Sequence, residues 1–509
     1  MKTQCSHWAA SLMLAGCLTA LVFGGNLAVA GQTEPVKLAT TADHSKFKEL
    51  QQAFQSGPEV TKACLGCHTE AAKQIQRTQH WTWEYINPKT QQRLGKKHVI
   101  NNFCVAAPSN YESCAACHIG YGWKDQNFDF SVEENVDCLV CHDTTGYYKK
   151  PSGLAGHPVY KKMELPKGSG NILNPVDLSR VAQKVGKTSR DTCGACHFFG
   201  GGGDAIKHGD LDSSLGAPDR SLDVHMDATG ADFTCATCHM TTGHQVPGSR
   251  YSPTAFDKGG SHLRGKADRT NPTTCQACHG DKPHSAKMSE LNDHGKKIAC
   301  QTCHIPSFAR GGIATKMSWD WSTAGRMGPD GKPMQLKDAK GNVIYDTKKG
   351  DFTLAENVVP EYIWFNGQVT YTLLGDPVDK TAKFTPINRF EGSPTDAKSM
   401  IWPVKVFRGV QPYDPVNKSL VIPHTTGSDD ASYWKHFNWE KAIAAGMAYV
   451  GLPFSGQVDF IKTEMTWPIN HMVAPKEKAL ACRECHIKNG RMKDVPGVDM
   501  PGRYSEPGK

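Results

Sequence analysis

The 509 residues would fill several ordinary domains, yet only 39% are hydrophobic, while Gly, Pro, Cys and His number 49, 30, 19 and 22. A chain this poor in apolar side chains needs another apolar body to pack around. The net charge of +8 is interleaved with acids and forms no basic stripe with aromatics, which argues against nucleic acid and leaves a small anionic substrate or an acidic redox protein as the complement.

In chain order, Lys2, the mostly apolar run from Trp8 to Leu27 and the small-x-small string Ala28-Val29-Ala30 read as an export signal cleaved before Gly31. The string Leu14-Ala15-Gly16-Cys17 offers a rival, lipid anchoring at Cys17, but Leu18 to Phe23 continues the apolar signal. No other stretch is long and apolar enough to span a bilayer, so a periplasmic product without a transmembrane segment is expected.

From residue 64 the string Cys-x-x-Cys-His occurs eight times. The occurrences are Cys64, Cys67, His68; Cys114, Cys117, His118; Cys138, Cys141, His142; Cys193, Cys196, His197; Cys235, Cys238, His239; Cys275, Cys278, His279; Cys300, Cys303, His304; and Cys482, Cys485, His486. Two thiols at this spacing bond the two vinyl groups of one haem, and the next imidazole reaches its iron. A zinc half-site or a disulfide framework would not place His after every second cysteine. Eight covalently bound haem c groups are therefore expected, and they supply the missing apolar body. Cys5 and Cys17 leave with the signal, so Cys104 is the one mature cysteine outside the motifs.

Between the motifs, helices are expected over 69–80, 432–450 and 477–485, a sharp turn at Gly200 to Gly203, and short strands near 342–345 and 368–373. The organisation expected is a signal peptide at 1–30, a seven-haem region at 31–310, a haem-free insertion of loops and short strands at 311–425, and a helical C-terminal region at 426–509 carrying the eighth haem. The fold class is mainly α with long irregular loops and few short strands, built around a covalent haem array. The short links His118 to Cys138 and His279 to Cys300 are expected to hold neighbouring haems close.

A haem between two imidazoles transfers electrons, whereas one with a displaceable sixth ligand does chemistry. Spacing selects His80, His208, His225, His244, His284, His294 and His471 as distal ligands, with His98 and His262 in reserve and His44, His157, His424 and His436 as structural residues.

The strings Asn101-Asn102-Phe103-Cys104, Asp137-Cys138 through His142-Asp143-Thr144-Thr145-Gly146, Lys207-His208-Gly209-Asp210-Leu211 and Ala299-Cys300 through His304-Ile305-Pro306 make the chain resemble the octahaem tetrathionate reductases, over essentially its whole mature length. The resemblance implies seven bis-histidine haems and one, at the second motif, with a lysine amine as distal ligand. Lys149, Lys150 and Lys187 are the candidates, and spacing does not separate them. A lysine must be neutral to bind iron. Cys104, ten residues before that motif, is a thiol suited to a sulfur–sulfur bond, with Asn101 as a hydrogen-bond donor to the anion.

The function expected is reduction of small oxidised sulfur or nitrogen species, tetrathionate first and nitrite or hydroxylamine next, with electrons from a periplasmic or membrane-bound donor. The alternative is a non-catalytic conduit of eight bis-histidine haems. The octahaem nitrite reductases fit less well, because their Cys-x-x-Cys-Lys string is absent.

Overall fold

A computed structural model describes residues 42–257 and 273–499. The expected export signal, Cys17 and His262 lie outside them. Among the described residues no helix is long and apolar enough to cross a membrane.

Most helices are one or two turns long and carry the motifs themselves, such as Leu139–His142, Arg190–His197, Cys275–His279 and Cys300–His304. Isolated helices this short are unstable in water and depend on what they pack against. The expected helix over 69–80 is two pieces, Ala71–Gln76 and Gln79–Thr82, the second closed by Trp83 in the left-handed region at φ 51°. That over 432–450 divides into Tyr433–His436 and Trp439–Tyr449 at Phe437, φ 53°. Near the last motif only Lys476–Lys478 and Cys482–Cys485 are helical.

The expectation of few short strands is corrected by a mixed sheet of nine strands. Its axis is Met400–Asp414, fifteen residues almost wholly buried on both faces. This strand pairs antiparallel with Asp459–Pro468 from Val404↔Pro468 to Tyr413↔Asp459, and parallel with Thr315–Asp320 at Arg408↔Ser318. Gly350–Ala355, Val343–Asp346 and Gln335–Lys337 extend the sheet on one side. The two-sided burial explains why Met400-Ile401-Trp402-Pro403-Val404 lacks the alternation that marks a half-buried strand. Asp459–Pro468 belongs to the stretch expected to be helical, yet its alternating burial is that of a strand with one face inward.

The sheet also seats the loop before the second motif. Asn102 Nδ2 donates to Phe407 O at 2.8 Å, and the Phe103 ring packs edge-on to Phe407 and tilted on Trp467. A Cβ at Gly409 would stand 2.9 Å from both Asn102 Cβ and Thr463 Oγ1. Gly409→Ala is therefore expected to cost about 1–3 kcal/mol of stability and to displace the Cys104 loop, read as a lower midpoint in thermal unfolding.

Candidate active site

Six motif imidazoles face a second imidazole. The ring centroids lie 6.3 Å apart for His68 and His44, 6.2 Å for His197 and His80, and 6.5 Å for His239 and His471. They lie 6.0 Å apart for His279 and His225, 6.1 Å for His304 and His284, and 6.0 Å for His486 and His294. Two imidazoles bound to opposite sides of one iron, with metal–nitrogen bonds of about 2 Å, have centroids about 6 Å apart. These six pairs fit a haem iron between the rings.

His244 lies close enough to His142 for the two charges to interact, and its Nδ1 is held by Gln74 Oε1 at 2.8 Å. Burial lowers the pKa of His80, His197, His239 and His304, leaving neutral rings with a lone pair for a metal. His471 goes the other way: burial pulls its pKa down, but the hydrogen bond and charge of Asp210, 3.1 Å from Nδ1, outweigh that and raise it.

Two histidines stand elsewhere than expected. His44, set aside as structural, stands over His68, because the turn His44–Lys46 folds back on the first motif. Among the described residues His208 forms no ring pair of this kind; it is packed edge-on against Trp467 at 4.8 Å, with His197 near enough for the two charges to interact. Elsewhere His98 contacts Glu84, His157 contacts Tyr160, His424 contacts Ser109 and Asp429, and His436 lies near Asp430.

The second motif differs. His118 is wholly buried among Trp81, Trp83, Trp123, Phe128 and Phe130. Its Nε2 lies 2.7 Å from Trp81 O. A carbonyl only accepts, so Nε2 carries the proton and has no lone pair to offer a metal. Among the described residues no second imidazole faces this ring as in the six pairs.

Lys150 occupies the peptide side of the same motif. Its Nζ donates to His118 O at 2.6 Å and Gly120 O at 3.1 Å and pairs with Asp137 Oδ2 at 2.9 Å, with side-chain exposures of 2% and 0%. Lys149 and Lys187 are exposed, which separates the three candidates. Lys150 thus lies on the motif's own side, whereas the resemblance implied a distal lysine.

Cys104 closes a tight turn in which Asn101 Oδ1 accepts from the backbone N–H of Phe103 and Cys104. The amide oxygen of Asn101 is thereby used for the turn. Cys104 Sγ donates to Gly201 O at 3.3 Å, inside the four-glycine run. A Cβ at Gly200 would fall 2.4 Å from Lys207 Nζ, so the bare glycine backbone leaves room for Lys207.

A solved structure, octaheme cytochrome c from Shewanella oneidensis, shares 40% identity with this chain, covers 91% of it and 97% of its own length, and superposes with a TM-score of 0.77. The chain belongs to the octahaem c-type cytochromes. The "Cytochrome c bacterial" family model matches residues 316–489 of the cytochrome, and an uncharacterized protein of Archaeoglobus fulgidus is 26% identical over 257 residues, 42% of this chain and 82% of that one.

Contacts between motif sulfurs order the sites of the cytochrome in space; with haem attached these sulfurs are thioethers. Cys64 meets Cys138, Cys193 meets Cys235, Cys275 meets Cys300, and Cys117 meets Cys196. Weaker charge contacts join Cys141 to Cys193, Cys238 to Cys278 and Cys303 to Cys485. The motifs therefore follow the order first, third, fourth, fifth, sixth, seventh, eighth, with the second branching from the fourth. The short link His279 to Cys300 does join neighbours, but His118 to Cys138 does not join the sulfurs of its two motifs.

Several cations missed by sequence reasoning surround the branch. Burial, then the charges of Lys96 and Arg250, lowers the Lys207 pKa to about 7; burial, then Lys349, lowers Lys316 to about 7. Lys316 Nζ sits over the rings of Phe352 and Trp319. The Cys104 thiol is raised by burial, against the pull of Lys349, Lys316, Lys207 and Lys96. Lys207 was visible as the neighbour of His208, but the string was read for its imidazole. Lys316 lies in the stretch taken as a haem-free insertion.

Proposed function

We propose that this cytochrome is a periplasmic reductase of small oxidised sulfur or nitrogen species, tetrathionate first and nitrite or hydroxylamine next, acting beside the second motif. The haems supply one-electron storage and transfer when bound. The observation that carries the reading is the second motif itself: its imidazole is turned away to Trp81 O, while the Lys150 amine stands beside it.

On this reading the Lys150 amine, in place of the His118 imidazole, would hold the second haem, which would supply electrons to a substrate bound beside it. Lys96, Lys207, Arg250 and Lys316 offset the two negative charges of tetrathionate in a desolvated site, where each charge counts for more than in water. Asn101 Nδ2 adds a donor next to Cys104. Burial holds the Cys104 thiol in its protonated form, so it needs a base before it can attack, and the charges of Lys349, Lys316, Lys207 and Lys96 favour the thiolate once formed. Attack on the central bond joins Cys104 Sγ to one half of tetrathionate and releases one thiosulfate. Two electrons then release the second thiosulfate and the thiolate.

The sign of the pH effect follows from the lysines. Lys207 and Lys316 are cations below pH 7 and lose charge as pH rises through about 7. KM for tetrathionate is expected to rise about tenfold between pH 6 and 9, the equivalent of about 1.4 kcal/mol. Lys207→Met is expected to raise KM at pH 6 and flatten the profile. Reduction of tetrathionate, nitrite and hydroxylamine by the dithionite-reduced protein tests the class; failure of all three to reoxidise it favours the conduit.

A further inference from the structure

Lys150 does not sit by chance among its acceptors, because the carboxylate it meets is itself fixed at every available point. Asp137 Oδ1 accepts from Tyr121 Oη at 2.8 Å and from the Val140 backbone N–H at 3.1 Å. Oδ2 accepts from Tyr148 Oη at 3.0 Å and from Lys150 Nζ at 2.9 Å. The two hydroxyl oxygens lie 3.0 Å apart. Tyr121 is wholly buried and Tyr148 nearly so. Asp137 immediately precedes Cys138 of the third motif, and its backbone N–H donates to Ile119 O, just after His118. A buried carboxylate bonded by two tyrosines has one orientation, and the amine inherits it.

We infer that Asp137 is the positioning residue of the second haem: with Tyr121 and Tyr148 it aims the Lys150 amine and strengthens it as a donor to iron. The inference rests on the reading of Lys150 as the axial ligand. An amine bound to a metal keeps two N–H groups and commits its lone pair. The acceptors around Nζ can hold both N–H groups, Asp137 Oδ2 taking one and a carbonyl, His118 O or Gly120 O, the other. A carboxylate accepting from a ligand's N–H raises that ligand's basicity, as it does for metal-bound imidazoles. The device also joins the second site to the third motif through two adjacent residues, Asp137 and Cys138.

The test uses the full haem-loaded protein and reads low-temperature paramagnetic resonance and potentiometry in parallel on the parent, Asp137→Asn and Lys150→Ala. Asp137→Asn keeps the shape and removes the charge, so one haem, the same one altered by Lys150→Ala, is expected to change its resonance signature and move to a more positive potential. The other seven should keep theirs. A Tyr121→Phe, Tyr148→Phe double variant keeps the carboxylate but releases its orientation, and should alter the resonance signature of the same haem. It decides the matter if Asp137→Asn does not fold. If Lys150→Ala alters one haem while both the Asp137 and the tyrosine variants leave it at the parent's signature and potential, the positioning role is wrong. If Lys150→Ala alters none, the lysine reading itself is wrong and the inference falls with it.

Discussion

Lys150→Arg is expected to fold, load its haems and reduce tetrathionate more slowly than the parent by on the order of two to three powers of ten, the scale seen when a group stabilising the transition state is lost. Guanidinium keeps the charge and the pairing with Asp137 but does not deprotonate, so it cannot bind iron. Lys150→Ala should lose the same activity and, in addition, about 1–3 kcal/mol of stability, because the buried Asp137 Oδ2 then lacks the N–H it accepts from. Comparing the two variants separates ligation from folding: steady-state turnover per haem reports the first, and thermal unfolding reports the second. An arginine variant as active as the parent would remove the amine from the chemistry.

The second large effect falls on the thiol. Cys104→Ser is expected to lower tetrathionate turnover by on the order of a hundredfold, the usual scale for one positioned group, while leaving nitrite reduction within a few-fold of the parent. The serine hydroxyl can still bond to Gly201 O, so the loop should stay folded. It is a far weaker nucleophile toward sulfur and has no comparable route to a mixed disulfide. Equal loss with both substrates would mean that Cys104 shapes the site and does not react. Unchanged tetrathionate turnover would remove it from the mechanism.

The motifs were legible because a covalent haem needs fixed local spacing, which a linear chain displays directly. The imidazole pairs were legible only in part, because the second ring arrives through space. His284 and His294 stand in the chain beside His279 and Cys300, but folding pairs their rings with His304 and His486 respectively. His44 looked peripheral because its place depends on the first turn folding back onto His68. His208 stands in the string Lys207-His208-Gly209-Asp210, and nothing local to it announces Trp467, which the sheet brings against its ring. The sheet itself was hidden by its central strand, whose burial on both faces removes the period-two pattern. Lys150 could not be told from Lys149 without Asp137 and the two tyrosines, all of which converge in space.

The central claim is that one site of eight has an amine where the others have imidazoles. Low-temperature paramagnetic resonance with near-infrared magnetic circular dichroism on the oxidised protein tests it most directly. Seven haems with bis-imidazole signatures are expected, and one with an amine ligand and an exchangeable sixth position, lost in Lys150→Arg. Eight bis-imidazole haems, unchanged in that variant, would contradict it.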